Sequence, residues 1–143
     1  MSQPGDGPTP ATSESAAPAD SDSAEGAANV VRMYYRAINE RQYEHAYRLW
    51  ASQGAASGKS LDTFRDGFAS TASVDVELGA PGRIEGAAGS RYIEIPVRIA
   101  AVATDSTRQI YTGSYTLRRA VVDGATAEQR AWRIYSAKLK RDT

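Results

Sequence analysis

The chain has 143 residues, 41% of them apolar, with 17 Lys and Arg against 17 Asp and Glu, one His and no Cys. That length holds one domain with a single sizeable core. Without Cys there are no disulfides, no thiol catalysis and no thiolate metal sites. One histidine is too few for the usual transition-metal site or hydrolytic triad, so no cofactor is expected.

The zero net charge is unevenly spread. Residues 1–25 carry five acids (Asp6, Glu14, Asp20, Asp22 and Glu25) and no Lys or Arg, which leaves 17 basic residues against 12 acidic ones in the remainder. The excess is modest and the arginines are scattered along the chain, so no nucleic-acid partner is expected. The opening segment is built mainly from Ser, Ala, Pro, Gly, Asp and Glu, with no Val, Ile, Leu or aromatic residue. Such a composition cannot bury enough apolar surface to offset its ordering entropy, and residues 1–24 read as a flexible acidic linker. No apolar run approaches the roughly 18–20 residues that span a membrane, and the N-terminus lacks the features of a signal peptide. Either the protein is cytoplasmic, or an export signal or anchor precedes residue 1 and the linker tethers the domain in a periplasmic or cell-envelope setting.

From Ala24 the apolar period becomes helical. Ala27, Val30, Val31, Tyr34 and Ile38 form one stripe, Asp22 or Ser23 suits the N-cap, and Asn39 and Glu40 suit the end. A second short helix carries Tyr43, Ala46, Tyr47 and Trp50 on one face and stops near Ser52–Gly54, with Glu44 and Arg48 spaced as an i,i+4 pair. A third runs from about Leu61 to Phe68, capped by Ser60, with Asp62 in its first turn and Leu61, Phe64 and Phe68 along its buried edge.

After residue 72 the period becomes two. SVDVEL places Val74, Val76 and Leu78 on one face; RIE reads as a short strand and GAAGS as a turn. In RYIEIPVRIAAVA, Ile93, Ile95, Val97 and Ile99 point inward and Tyr92, Glu94 and Arg98 outward, while Pro96 should sit on an open side or at a bulge. RQIYTGSYTLRRAV shares a face among Tyr111, Tyr115 and Leu117 and bends at Gly113; VDGATAEQ is a loop, and WRIYSAKLK closes the sheet. Helices followed by a run of strands predict an α+β fold with helices on one face of an antiparallel sheet.

The helical pair VVRMYYRAINERQYEHAYRLW, the SLDTFRDGF helix and the closing WRIYSAKLK resemble the nuclear transport factor 2-like superfamily, over about residues 26–140. The resemblance implies a cystatin-like α+β cone: three N-terminal helices packed in the concave face of a strongly curved antiparallel sheet, with an open mouth. It places this chain beside bacterial envelope proteins as well as isomerases, dehydratases and polyketide cyclases. It also implies a homodimer contact on the convex face, here near Tyr92, Glu94 and Arg98. Catalysis in the superfamily uses an Asp–His or Tyr–Asp pair inside the cone, and neither maps onto the inward positions of these strands.

Individual motifs narrow the chemistry. GAASGKS, residues 54–60, ends like a phosphate loop, but Gly54 and Gly58 are separated by three residues rather than four, and it lies between two helices. Lys59 and Ser60 therefore read as a solvated charge and a helix cap. His45 lies off the Tyr43/Tyr47 face, as a rim residue or else a proton-transfer group. Asp75 and Glu77 alternate with apolar residues and read as a solvated outer face; Glu94 and Arg98 are expected to pair with neighbouring strands, for example at Arg118. Tyr34, Tyr47, Trp50, Phe64, Tyr111 and Tyr115, with Phe68 beside them, either fill the core or line a pocket for a small apolar ligand. The functional expectation is a non-catalytic module that binds a small ligand or a protein partner. The alternative is a small isomerase or cyclase using a pocket tyrosine or His45.

Overall fold

The computed structural model describes residues 22–142. The linker expected over residues 1–24 lies outside them, except that its last three residues belong to the domain. Asp22 pairs with Arg119 at 3.2 Å, Ser23 caps the first helix by accepting from the Gly26 N–H at 3.2 Å, and Ala24 begins that helix.

Helix α1 is Ala24–Asn39, α2 is Tyr43–Arg48 and α3 is Leu61–Asp66, with a 3-10 segment at Ser52–Ser57 between the last two. Ser60 caps α3 by accepting from Thr63 N–H at 3.2 Å. Strands follow: β1 Thr71–Leu78, β2 Glu85–Ala87, β3 Ser90–Ala103, β4 Arg108–Ala120 and β5 Arg133–Arg141. They form one antiparallel five-stranded sheet in the order β1-β3-β4-β5, with β2 also on β3. The fold is α+β.

Three local readings need correction. The short strand is Glu85–Ala87 rather than RIE, because these residues pair with Ser90–Tyr92 across the turn at Gly89. The segment read as a loop after Val122 contains a one-turn helix, α4 Ala127–Arg130; Thr126 and Gln129 form a reciprocal capping box that four residues of apolar pattern could not announce. Trp132 precedes the last strand instead of lying in it, and its indole N–H donates to the Ser23 carbonyl at 3.1 Å, tying the start of α1 to the end of the chain.

The glycines of GAASGKS answer to backbone geometry. Gly54 has φ 104°, and a Cβ there would lie 2.1 Å from the Tyr47 ring; Gly58 closes the 3-10 segment at φ 76°. Pro96 fits as expected: β1 pairing ends at Leu78↔Val97 and β2 pairing begins at Glu85↔Tyr92, so the proline faces the break between two partner strands.

The core lies between α1 and the sheet. Ala27, Val31, Tyr35 and Ile38 of α1 are buried with Val74, Ile93, Ile95, Val97, Ile99, Tyr115, Leu117 and Ile134. Asn39, at the end of α1, fastens helix to sheet edge. Its Nδ2 donates to the Val74 carbonyl at 2.7 Å, and its Oδ1 accepts from the Val74 N–H at 2.8 Å. The side-chain amide thus takes the place of a neighbouring strand, and the Arg41 guanidinium donates to the Thr71 and Ala72 carbonyls beyond it. Replacing Asn39 with Ala leaves both polar groups of buried Val74 unpaired, which should cost about 2–3 kcal/mol. Urea unfolding should show a lower midpoint, with Asn39→Asp falling between the two because it keeps the acceptor and loses the donor.

Candidate functional site

Between α1, α3 and the sheet lies a cavity of about 420 Å3. Each wall is supplied by a different periodicity. Tyr34 and Tyr35 are adjacent on α1, so their rings leave the helix about 100° apart, and both are buried. Phe64 comes from the buried edge of α3, while Tyr111 and Tyr115 stand on one face of β4 because they are four residues apart in a strand. Ala101 and Ile99 of β3 form the apolar back, and exposed Lys59 and Leu139 lie at the edge.

Five of the six aromatic residues singled out in the sequence border this space: Tyr34, Trp50, Phe64, Tyr111 and Tyr115. Tyr47 stands behind it. Its ring packs on Gly54 and at 5.3 Å from Phe64, and its hydroxyl donates to the Lys59 carbonyl at 2.6 Å. Tyr35 borders the cavity too. The apolar stripe of α1 did not single it out, because it sits one residue beyond Tyr34. Its signal in the sequence was the YY doublet on a helix whose neighbouring positions are also apolar.

The rings hold one another in edge-on contact. Tyr34 lies 5.0 Å from Tyr35, 6.3 Å from Trp50 and 6.0 Å from Tyr115, each nearly perpendicular. Such T-shaped pairs set a positive ring edge against a negative ring face and resist collapse of the space between them. The hydroxyls differ in what they find. Tyr35 and Tyr115 share a short, buried hydrogen bond, and Tyr111 donates to Gln109 Oε1 at 2.6 Å. Tyr34 forms no such bond. The Trp50 indole N–H lies close enough to favour ionisation of that hydroxyl slightly, yet it does not reach hydrogen-bond geometry and is itself buried without a partner. Two neighbouring donors on the cavity side of the core are therefore unspent.

Burial decides the acid–base state of this cluster. It raises the Tyr34 and Tyr35 phenols well above their ordinary value, helped by the neighbouring phenols, and pushes Tyr115 up to about 12 despite its bond to Tyr35. All three stay protonated at neutral pH and act as hydrogen-bonding groups. Among the described residues, no Asp, Glu or His borders the cavity. His45 is exposed on α2, and among the described residues no three His, Asp or Glu gather as a metal site.

On the other face of the sheet, Tyr92 packs edge-on against Tyr135 at 5.6 Å and Glu94 is exposed. Arg98 pairs with Glu77 of β1 at 3.6 Å, and the expected Glu94–Arg118 pair is replaced by Arg118 Nε donating to Ser90 Oγ at 3.2 Å. Register explains the difference: Glu94 stands opposite Thr116, and Arg118 stands opposite Tyr92. Among the described residues, no helix is long and apolar enough to cross a membrane.

No protein-family model and no curated protein sequence matches the chain. Among solved structures, the fold is similar to that of the Kfla4162 protein from Kribbella flavida, with a TM-score of 0.59 and 16% identity over 87% of this chain and 93% of that one. At that identity the likeness concerns the fold alone.

The raised phenol values have a consequence at high pH. Above about pH 10 the unfolded chain loses its tyrosine protons while buried Tyr34, Tyr35 and Tyr115 keep theirs, so unfolding is favoured. The stability carried by the neutral phenols is complete below that pH. It should fall by about 1.4 kcal/mol per pH unit for each tyrosine as pH rises through the folded value of Tyr115, about 12. Phenolate absorbance from these three should appear together with loss of near-ultraviolet circular dichroism, in one transition.

Proposed function

We propose that this chain is a nuclear transport factor 2-like domain that binds a small, mainly apolar ligand in its tyrosine-lined cavity, without catalysing a reaction on it. The observation that carries the reading is the cavity wall: mainly aromatic and aliphatic, with hydrogen-bonding hydroxyls, with Lys59 and Gln109 among its polar groups, and with no carboxylate or imidazole among the described residues. A general base at neutral pH needs a group that titrates near neutrality, and burial moves the phenols the other way. The Tyr34 hydroxyl and Trp50 N–H suit a ligand that brings one hydrogen-bond acceptor on an apolar body.

Support for the superfamily's cone comes from the sheet. Bulges interrupt β1 between Thr71 and Ser73 and β5 at Tyr135, opposite Thr116/Leu117, and Gly113 approaches β5 so closely that a Cβ would lie 1.8 Å from the Lys138 carbonyl oxygen. Bulges and glycine contacts of this kind bend strands, and a bent wall around α1 leaves a mouth at one end. The helices occupy the concave side in this reading. The enzymatic alternative rests on a pocket tyrosine as proton donor, since His45 is exposed on α2 and absent from the cavity wall.

Native mass spectrometry of freshly purified protein should show an added mass that is lost on denaturation. The neutral fluorophore N-phenyl-1-naphthylamine should bind with one-to-one saturation. Ala101→Phe, which places a ring in the cavity, should weaken that binding at least about tenfold while leaving the circular dichroism spectrum intact. Tyr34→Phe should leave fluorophore binding unchanged and reduce occupancy by the co-purified compound. A wild-type protein with no bound mass and no saturable fluorophore binding would contradict the reading.

A further inference from the structure

The arginines that look scattered along the sequence converge at the end of the sheet away from Tyr111. There the start of β3, the end of β4 and the start of β5 meet a cleft of about 630 Å3, bordered by Arg118, Arg119 and Arg133. Strand register makes this convergence unusually close. Arg118 stands directly opposite Arg133 across β4 and β5, and Arg91 stands directly opposite Arg119 across β3 and β4. Like charges at directly opposed positions oppose strand pairing, so two such pairs, one on each face of the sheet, are a standing cost to the fold.

Protein carboxylates offset only part of that charge. Asp22 pairs with Arg119 at 3.2 Å, and Glu128 pairs with Arg133 at 3.1 Å. Both guanidinium groups are sheltered, with side-chain exposures of 14% and 22%. Arg118 has no carboxylate among the described residues: its Nε donates to Ser90 Oγ, and its guanidinium lies 5.7 Å over the Tyr135 ring. The two η nitrogens of Arg118 make no hydrogen bond to the described residues, which leaves a planar pair of donors unspent.

Ser52 and Gln53, both at φ 57°, also border the cleft. Left-handed backbone at two successive non-glycine residues is costly. It is held there by a parallel bridge of Trp50 to Ile134, with the Ala51 N–H donating to the Ile134 carbonyl at 2.7 Å. This strained segment brings Ser52 and Gln53, both with side chains able to donate, to the border of the cleft.

We propose that this cleft binds a small doubly charged oxyanion, the phosphate group of a phosphomonoester. The Arg118 charge that no carboxylate offsets, with the sheltered Arg119 and Arg133 guanidinium groups bordering the same cleft, suits a group that carries about −1.5 to −2 at neutral pH. A guanidinium fork matches its paired oxygens, and the cleft has room for a small organic portion. An anion seated between Arg118 and Arg133 would relieve the repulsion that the register imposes. The site lies apart from the tyrosine cavity and does not depend on the reading of that cavity.

Inorganic phosphate at constant ionic strength is the probe, followed through the arginine Nε–Hε signals in nuclear magnetic resonance. Saturable shifts at Arg118 and Arg133 are expected, and Arg118→Gln should weaken binding by about tenfold or more, the loss of one charge-assisted fork. Gln can still donate to Ser90, which protects the fold; Arg133→Gln is the second variant, and Arg98→Gln, at a distant position on β3, should behave as wild type. A parallel melting experiment separates the site from general salt effects. Without phosphate, Arg118→Gln should melt no lower than wild type because repulsion is relieved, and it should lose the phosphate-dependent rise in Tm. Shifts that stay linear with concentration, or a Tm rise that survives both variants, would overturn the assignment.

Discussion

A buried bond between two phenols, Tyr35 on α1 and Tyr115 on β4, fixes how far the long helix stands from the middle of the sheet. Both rings are almost entirely removed from water, and each hydroxyl would carry a heavy desolvation cost if it lost the other. The rings are also large. Small residues, Ala27 and Ala28 near the start of α1 and Ala37 near its end, let the backbone come close, whereas Tyr34 and Tyr35 hold it off between them. The cavity is the space those rings leave when they meet edge to face instead of stacking flat.

The long pair β3 and β4 carries two chemically different regions on one scaffold. Ile99, Ala101, Tyr111 and Tyr115 contribute an uncharged wall at one end, whereas Ser90, Arg118 and Arg119 contribute a cationic one at the other. The same antiparallel register produces both. It sets Ile99 opposite Tyr111, joining an aliphatic back to an aromatic side, and sets Arg91 opposite Arg119, where charge accumulates. In the first region desolvation keeps the groups neutral. In the second, guanidinium groups cannot escape their charge by losing a proton, so they need an opposite charge.

Anchoring at the domain's edges is polar and local. The amide of Asn39 finishes the open side of β1, the Trp132 indole holds the Ser23 carbonyl, and Asp22 reaches Arg119. These contacts bring the first described residues against the last strand, so the start of α1 and the beginning of β5 brace each other. The Ser23 cap and the Asp22 ion pair make the acidic segment's last residues part of the folded body.

Period and capping were legible without coordinates. A stripe at three- and four-residue spacing, Ser23 and Ser60 ahead of their helices, and strict alternation through Val74 and Ile93–Ile99 each follow from interactions within a few residues, and each appears in the folded chain. GAASGKS does lie between two helices, although its first four residues belong to the 3-10 segment rather than to a simple turn. Position in space was a different matter. Tyr47 shares its face with ring neighbours, yet Gly54 receives its ring and takes it out of the cavity wall, while Tyr35 turns inward because both flanks of α1 are covered. Arg118 and Arg133, and the more widely separated Arg91 and Arg119, became neighbours only through strand register, which depends on long-range pairing that no local pattern encodes. The sequence by itself determined which segments are helices or strands and which of their faces are apolar, because those are short-range effects of side-chain periodicity. Only the tertiary structure decided which rings border empty space and which charges face one another, because both depend on how distant segments pack.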